Sequence, residues 1–473
     1  MQRYRTKIGG RPRETARYEL VTNPYDGTPV GEVGVGSEAE IQAAIASTAD
    51  GFQLTKRLAT HERALLLTAI AARLSARAEE FTRLITLESG KPIRYARAEV
   101  LRAITTFTLA AAEVRGMGGE VQPIDQQAGY EGRLCLHCRV PRGPVAAISP
   151  FNFPLNLTVH KLAPALAVGA AVVLKPPSQA PLTAHVLSDI VEQSGAPPGS
   201  FNVVHCPAEI GERIVTDERI RVLSFTGSAD LGWRLKGLAG KKQVTLELGG
   251  NSPCIIDAGT DLDRVMSRLV EAAFASAGQV CIRAQRMIVH ADLFERFCER
   301  FVALSEQVVC GDPLDERTMV GPLIEARHVD RVLSWVHEAQ SNGARLLTGG
   351  RCEGRVVSPT ILVDVKPELR VSREEVFGPV TIIERAQNFD EAIAIANRGR
   401  YGLQAGVFTP RLEHAMRAFD QLEFGGVMVN DTPMFRSDSY PFGGMKDSGF
   451  GREGVRFAME EMTEHKTLTL RSG

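Results

Sequence analysis

"VAAISPFNFPLNLTVHKLAPALAVGAAVVLKPPSQAP", Val145 to Pro181, is the stretch whose reading decides the fold. VAAI (Val145 to Ile148) is a short apolar run. Leu157 to Val168 carries a helical pattern, and AVVLK (Ala171 to Lys175) is a second apolar run. Buried strands separated by a helix predict a parallel sheet covered on both faces. The series continues outward. Leu182, Val186, Leu187, Ile190 and Val191 keep helical spacing until Gly195 and Pro197 stop it. FNVV (Phe201 to Val204), VLSF (Val222 to Phe225) and VTLEL (Val244 to Leu248) follow as strands. Ligands on such a sheet gather at the carboxyl ends of its strands.

A second series begins near Pro253. CIID, a helix over Leu262 to Phe274, MIVH, a helix over Leu293 to Val308, then PTILVDV, VTII, QAGVF and GVMVN repeat the α/β pattern. Two segments fit neither series: RLCLHCRV (Arg133 to Val140) and HKTLTLR (His465 to Arg471). Isolated strands of this kind need a partner, and another subunit is the expected one, with mutual pairing inside one chain as the alternative.

The chain has 473 residues, 44% hydrophobic and 23% charged, with a net charge of -1. That length suits two or three domains, and that charge favours neither nucleic acid nor an anionic membrane. No apolar run reaches the roughly 20 residues of a membrane span, and the basic N-terminus lacks the apolar stretch of a secretory leader. Eight cysteines in such a chain are not a disulfide framework, so a reducing, cytoplasmic location is expected. Cys206, Cys254 and Cys310 lie in hydrophobic stretches and read as small buried residues. Cys135 and Cys138 form a C-x-x-C, but residues three apart on a strand point to opposite faces. No second ligand pair follows, so no metal site is expected.

Chemistry is sought at the strand ends. Asn152, in ISPFNFPLN, offers an amide to an oxyanion, or simply forms a turn. Lys175 precedes a Pro-rich loop and is either a ligand contact or a solvated cation. FTGSADLG opens a helix with Gly227 and Gly232, so backbone N–H groups can face a pyrophosphate, although the spacing is not the usual dinucleotide fingerprint. Glu247 ends a strand before two glycines and reads as a desolvated general base or a surface carboxylate. In GQVCIRAQR, Arg283 and Arg286 follow Cys281, and they either favour its thiolate or form surface ion pairs.

Together and in this order, PFNFPL, HKLAPAL, LKPPSQAP, FTGS, ELGGNSP, GQVCIRAQR, EEVFGPV (Glu374 to Val380) and PFGGMKDSGFGREG (Pro441 to Gly454) resemble the aldehyde dehydrogenase superfamily. The likeness runs from Asn23 to the C-terminus. It implies an α/β chain with a Rossmann-like parallel-sheet cofactor domain over residues 1–121 and 143–246, with part of 440–455. A second α/β catalytic domain over 247–439 and a small β oligomerisation arm over 122–142 and 456–473 complete it. The resemblance makes Cys281 the nucleophile, Glu247 the general base, Asn152 an oxyanion donor and Lys161 part of a proton path. Ser149, Pro150, Phe151, Lys175, Ser178, Gly227, Ser228, Leu248, Glu375 and Phe377 would bind NAD or NADP, with Glu375 on the nicotinamide ribose. A homodimer or homotetramer acting on a small-molecule aldehyde is implied, with no nucleic acid, membrane or metal.

Departures from the family refine this. Ser178 stands where many NAD-preferring relatives carry a glutamate, and a serine does not repel a 2′-phosphate. GQVCI, NLTVHK and TPMFRSD look most like the branch of lactaldehyde, phosphonoacetaldehyde and non-phosphorylating glyceraldehyde-3-phosphate dehydrogenases. Candidate substrate contacts are Arg102, His160, Arg283 and Arg436; Arg102 and His160 also read as structural. Val280 stands where phosphate users often carry arginine, which weighs against a phospho-aldehyde. A lactaldehyde-like substrate is expected, with phosphonoacetaldehyde, glyceraldehyde-3-phosphate and succinate semialdehyde as alternatives. CoA-acylating relatives lack the general base, and Glu247 is present.

Overall fold

In the computed structural model, which describes residues 1–471, the stretch Val145–Pro181 folds as its spacing predicts. Strand Val145–Ile148 leads to helix Asn156–Val168, then to strand Val172–Lys175 and helix Leu182–Gln193. The two strands belong to an eight-stranded sheet. Its five central strands, mutually parallel, are Gln243–Glu247, Val222–Thr226, Val145–Ile148, Val172–Lys175 and Phe201–Val203 in spatial order. The chain leaves Val145–Ile148 in one direction and returns on its other side with Val222–Thr226, so the strand order reverses there. Such a reversal opens a crevice at the strand ends, beside the loop that carries Asn152.

Two additions escaped the sequence reading. Thr6–Ile8 and Arg11–Arg13 form a hairpin on the Phe201–Val203 edge. Its two-residue turn, Gly9-Gly10, has φ of 65° and 73°, the backbone a tight hairpin requires and that glycine adopts without strain. At the opposite edge Gly449–Phe450 pairs antiparallel with the end of Gln243–Glu247, setting Gly449 against Glu247.

The second series forms a seven-stranded sheet. Ser252–Ile256 is flanked by Ala284–His290 and Gln404–Phe408 in parallel, with Gly426–Val429 at one edge and Arg345–Thr348 at the other. Helix Leu262–Phe274 spans the predicted residues, and the helix expected over Leu293 to Val308 runs Phe294–Ser305.

Two buried glutamates in the helical layer fasten the cofactor-side loops. Glu88 accepts the backbone N–H groups of Leu182 (2.7 Å) and Thr183 (3.0 Å), and the Thr183 hydroxyl, at the start of helix Leu182–Gln193. Glu99 accepts those of Leu155 (2.9 Å) and Asn156 (3.0 Å) at the start of helix Asn156–Val168, whose residues are all buried. Helix N-termini leave N–H groups without intrahelical partners, and each carboxylate fills that gap. Glu99 also pairs with buried Lys91, whose ammonium lies 3.5 Å from the Phe153 ring centroid.

The two stray strands correct one expectation. Arg133–Pro141 and Thr463–Arg471 pair with each other, antiparallel, from Pro141 opposite Thr463 to Arg133 opposite Arg471. Mutual pairing wins because the nine-residue register satisfies both ladders inside one chain. Gly119–Gln122, straddling the boundary drawn at 121/122, covers the far side of Arg133–Pro141. The outer edge of Thr463–Arg471 stays open, and residues 472 and 473 of the expected arm lie outside those described. Cys135 is buried and Cys138 exposed, as alternation requires; Cys310, expected inside, is exposed because its segment turns at Gly311. No helix among the described residues is long and apolar enough to cross a membrane.

Candidate active site

Cys281 lies in the turn that leads into strand Ala284–His290. The backbone before it is unusual: Ser276, Ala277 and Gly278 have φ of 52°, 56° and 68°. For the two residues with side chains this left-handed backbone is strained, and such strain collects at sites where the surrounding packing dictates it. At Gly278 a Cβ would lie 2.3 Å from the Gly378 carbonyl. Gln279 pins the turn, with Oε1 accepting the Ile324 N–H (3.1 Å) and Nε2 donating to the Pro322 carbonyl (3.3 Å). The Gln279 carbonyl accepts Asn152 Nδ2 (2.9 Å), which ties the loop after Val145–Ile148 to the cysteine turn.

Burial pushes the Cys281 thiol up to about 12; Glu375 and Glu247 add to this and Arg436 opposes it. The resting sulfur is therefore a neutral thiol that needs a proton acceptor to become a nucleophile. The cation that bears on it is Arg436, 155 residues away in sequence, and not its neighbours. Arg286 instead donates to the carbonyls of Ile395 (3.0 Å) and Ala396 (2.7 Å). Arg283 is buried and donates to Gln285 Oε1 (3.0 Å), so its expected substrate contact is corrected: the turn after Cys281 points the guanidinium into the scaffold.

Glu247 is buried and neither of its oxygens has a hydrogen-bond partner. Desolvation holds its carboxyl well above the usual range, and Glu453 adds to the effect. Glu453 itself is held low, because Lys161 and Arg436 overcome its burial. Of this coupled pair the proton rests on Glu247. Lys161, fully buried, donates to Thr226 Oγ1 (2.7 Å), Glu453 Oε1 (3.1 Å) and Ser224 Oγ (3.2 Å).

Three of the four substrate candidates converge on a residue that the sequence did not single out, Asp438. Arg102 grips it with Nη2 at 2.6 Å and Nε at 3.3 Å, and His160 Nε2 faces it at 2.9 Å. Arg436 Nε lies 3.6 Å from it, while Nη2 donates to Glu453 (3.2 Å). The Asp438 carboxyl is pushed up by burial, but the His160 and Arg102 contacts overcome this and hold it ionised. Burial and Arg436 lower His160, so the imidazole is neutral. Three cations, Arg102, Arg436 and Lys161, thus face two ionised carboxylates, Asp438 and Glu453, leaving an excess of one positive charge. Arg436 also stacks 3.8 Å from the centroid of Phe442, in the apolar cluster of Val280, Ile282 and Leu403 that packs around Cys281.

The expected cofactor residues form a second surface. Lys175 is buried, yet its ammonium has only long contacts, to Pro176 O and Ser178 Oγ, both at 3.5 Å. A Cβ at Gly211 would strike its Cδ at 2.7 Å. Burial lowers Lys175, so an incoming oxygen ligand would be well received. Helix Ala229–Leu238 starts without a side-chain cap from Ser228, and a Cβ at Gly227 would meet the Phe225 ring at 2.6 Å. Leu248 and Ser149 are buried beside this surface, and Ser149 bonds the Thr158 hydroxyl (3.0 Å). Pro150 leads into Phe151, whose ring meets Phe377 edge-to-face at 5.8 Å. Glu375 Oε1 accepts the Gly250 N–H (3.0 Å), and burial pushes the carboxyl up to about 7. An under-bonded ammonium, a bare helix N-terminus and a half-buried carboxylate fit a dinucleotide's ribose hydroxyls and pyrophosphate. No three His, Cys, Asp or Glu among the described residues are grouped to hold a metal.

The sequence profile of the "Aldehyde dehydrogenase family" matches residues 12–468. The chain is 40% identical over 471 residues to 3-sulfolactaldehyde dehydrogenase of Priestia aryabhattai, covering 99% of this chain and 98% of that one. Aldehyde dehydrogenase 21 of Physcomitrella patens, solved with the reaction product succinate, superposes with a TM-score of 0.97 at 40% identity, covering 99% and 98%. Glyceraldehyde-3-phosphate dehydrogenase GapN of Methanocaldococcus jannaschii, solved with NADP, gives 0.93 at 39% identity, covering 97% and 100%.

Proposed function

Because the chain belongs to the aldehyde dehydrogenase family, enzymes that oxidise aldehydes, we propose that it oxidises a small anionic aldehyde to its acid with NAD or NADP. The observation that carries the substrate class is the net-positive Arg102–Arg436 cluster against the apolar wall around Cys281. A carboxylate or sulfonate is held there by charge-assisted, bidentate bonds. The sulfolactaldehyde enzyme and the succinate-bound structure point the same way. This sharpens the lactaldehyde-like expectation toward a charged substrate such as succinate semialdehyde.

The Cys281 thiol yields its proton to solvent water as Sγ attacks the carbonyl carbon, giving a thiohemiacetal. The Asn152 amide, released from Gln279, and the Cys281 backbone N–H hold the oxyanion. A bound dinucleotide would supply the hydride acceptor. The thioester left on Cys281 is hydrolysed by water that the ionised Glu247 deprotonates, and the proton passes toward the Glu453 carboxylate beside Lys161. Lys175 and Glu375 would hold the two riboses of a bound dinucleotide, and Ser178 would leave room for a 2′-phosphate.

The assembly we propose is a homodimer or homotetramer. Its support is apolar surface near open sheet edges: Leu412, Met416 and Phe419 are exposed on one helix face next to the edge strand Gly426–Val429, and Leu468 and Leu470 are exposed on the arm's outer strand. A panel of lactaldehyde, succinate semialdehyde, sulfolactaldehyde, phosphonoacetaldehyde and a long aliphatic aldehyde, run with both cofactors, tests the reading. The anionic three- and four-carbon aldehydes should give the highest kcat/KM; preference for the aliphatic one defeats the proposal.

A further inference from the structure

Arg283 stands two residues past the nucleophile, but its work is done elsewhere. Its guanidinium is buried and no carboxylate lies within ion-pair distance among the described residues. Burial lowers it to about 9, so it stays charged at neutral pH. Its contacts are Gln285 Oε1 at 3.0 Å and, at 3.5 Å, the Ala273 carbonyl.

Gln285 in turn clasps the backbone on both sides of Glu375. Its Oε1 also accepts the Val376 N–H (2.9 Å), and its Nε2 donates to the carbonyls of Glu374 (2.8 Å) and Val371 (3.2 Å). A glutamine amide can be turned end for end, and only its partners decide which end is which. Arg283 has donors and no acceptor, so it admits only the Oε1-inward orientation, the one in which both clasping bonds form.

We propose that Arg283 is a positioning residue for the cofactor's nicotinamide ribose, acting through Gln285 on the backbone that carries Glu375. The inference rests on the reading of Glu375 as the ribose carboxylate. The Glu375 carboxylate is closely packed: a Cβ at Gly249 would lie 2.3 Å from Oε2. Small backbone shifts therefore move its oxygens relative to a bound ribose. Arg283 also acts by charge. Glu375 faces Arg283, Arg331, Cys281 and Tyr401, together with the Gly250 N–H. Burial raises it, while the N–H and the two arginines pull it down. Without Arg283 the carboxylate protonates at higher pH and loses its acceptor for a ribose hydroxyl.

The test is NADH and NADPH binding, followed by quenching of protein fluorescence across pH 5 to 9, in wild type, Arg283→Met, Arg283→Lys and Glu375→Gln. Arg283→Met should weaken binding ~10-fold at pH 7, the loss of one charge-assisted arrangement. It should also move the acid limb of the profile upward by about half a pH unit or more. Arg283→Lys, which keeps the charge but not the fork, should retain the limb and lose part of the affinity. The KM for an anionic aldehyde should stay within about twofold, since the proposal leaves substrate contacts intact. Unchanged cofactor affinity with a raised KM for anionic aldehydes would return Arg283 to the substrate and overturn the proposal. A lowered melting temperature with an unmoved limb would overturn it as well. Glu375→Gln separates the two readings: an acid limb that survives it refutes the role of Glu375, whatever Arg283 does.

Discussion

Replacing Glu99 by Gln should destabilise the protein strongly at neutral pH and much less at alkaline pH. Lys91 and Glu99 are buried together, with side-chain exposures of 4% and 0%. In Glu99→Gln the carboxamide keeps an oxygen for the Leu155 and Asn156 N–H groups but presents its NH2 to the ammonium. Breaking a buried pair by removing one partner costs about 3–5 kcal/mol. The lysine caps that cost by shedding its proton: neutralising an ammonium of pKa about 10.4 at pH 7 takes about 4.6 kcal/mol. The same step at pH 9 takes about 1.9 kcal/mol, so a deficit of about 3–4.6 kcal/mol at pH 7 should shrink by about 1–2.7 kcal/mol between the two. The sign follows from linkage. In the variant Lys91 is neutral when folded and charged when unfolded, so folding releases a proton and stability rises with pH up to the unfolded lysine value. Urea melts of wild type and variant at pH 7 and pH 9 measure this. Lys91→Met combined with Glu99→Gln removes both charges and should lie within about 1.5 kcal/mol of wild type. Activity should follow stability, because Asn152 lies three and four residues before the two N–H groups that Glu99 holds. A deficit that is equal at both pH values, or a double variant as unstable as the summed singles, refutes the account.

Four further outcomes follow from the site. Glu247→Gln should release about one equivalent of reduced cofactor per subunit in a stopped-flow burst and then stall, with turnover down 10²- to 10⁴-fold; sustained turnover removes Glu247 from its role. In the wild type the raised Glu247 carboxyl must lose its proton to act, so kcat should climb with pH along a limb above the ordinary carboxylate range. Arg436→Met, which removes a charge favouring that ionised form, should move the limb to higher pH, as a kcat–pH profile will record. Arg102→Met and Arg436→Met should raise KM for an anionic aldehyde about 10- to 100-fold, the loss of a charged hydrogen bond, while a neutral aldehyde of equal length is little affected. Ser178→Glu should cut kcat/KM with NADP at least ~10-fold relative to NAD, since a carboxylate repels the 2′-phosphate; an unchanged ratio places the phosphate elsewhere.

Much of the scaffold was legible because buried parallel strands are written as uninterrupted apolar runs. Val145–Ile148, Val222–Thr226 and Gln404–Phe408 lie on the predicted residues or within one of them. Asn152 and Glu247 were singled out as candidates by their position after such runs together with the family likeness, and Cys281 by the family likeness. Asp438 and Glu453 carry no local pattern. They lie 336 and 292 residues from Arg102 and Lys161, the groups that give them meaning. The Lys91–Glu99 pair looks in sequence like two surface charges on helical turns. The Thr6–Arg13 hairpin was obscured because its residues are mostly basic or polar and its strands are three residues long. Arg283 misled for the opposite reason: proximity in sequence suggested a thiol or substrate contact, while the turn at Cys281 sends the side chain inward.

The pairing of Gly449–Phe450 with the end of Gln243–Glu247 sets an order of events during synthesis. The strand that bears Glu247 emerges about 200 residues before its edge partner. At 5–20 residues per second the ribosome needs roughly 10 to 40 s to supply that partner. Throughout that interval the edge at Leu246 and Glu247 is unpaired, and Lys161 awaits Glu453. The chain therefore spends its nascent life with an open sheet margin and an unbalanced buried ammonium. Cooler growth, chaperone supply or slow codons after residue 430 should change the yield of soluble enzyme more than they change the properties of the finished fold.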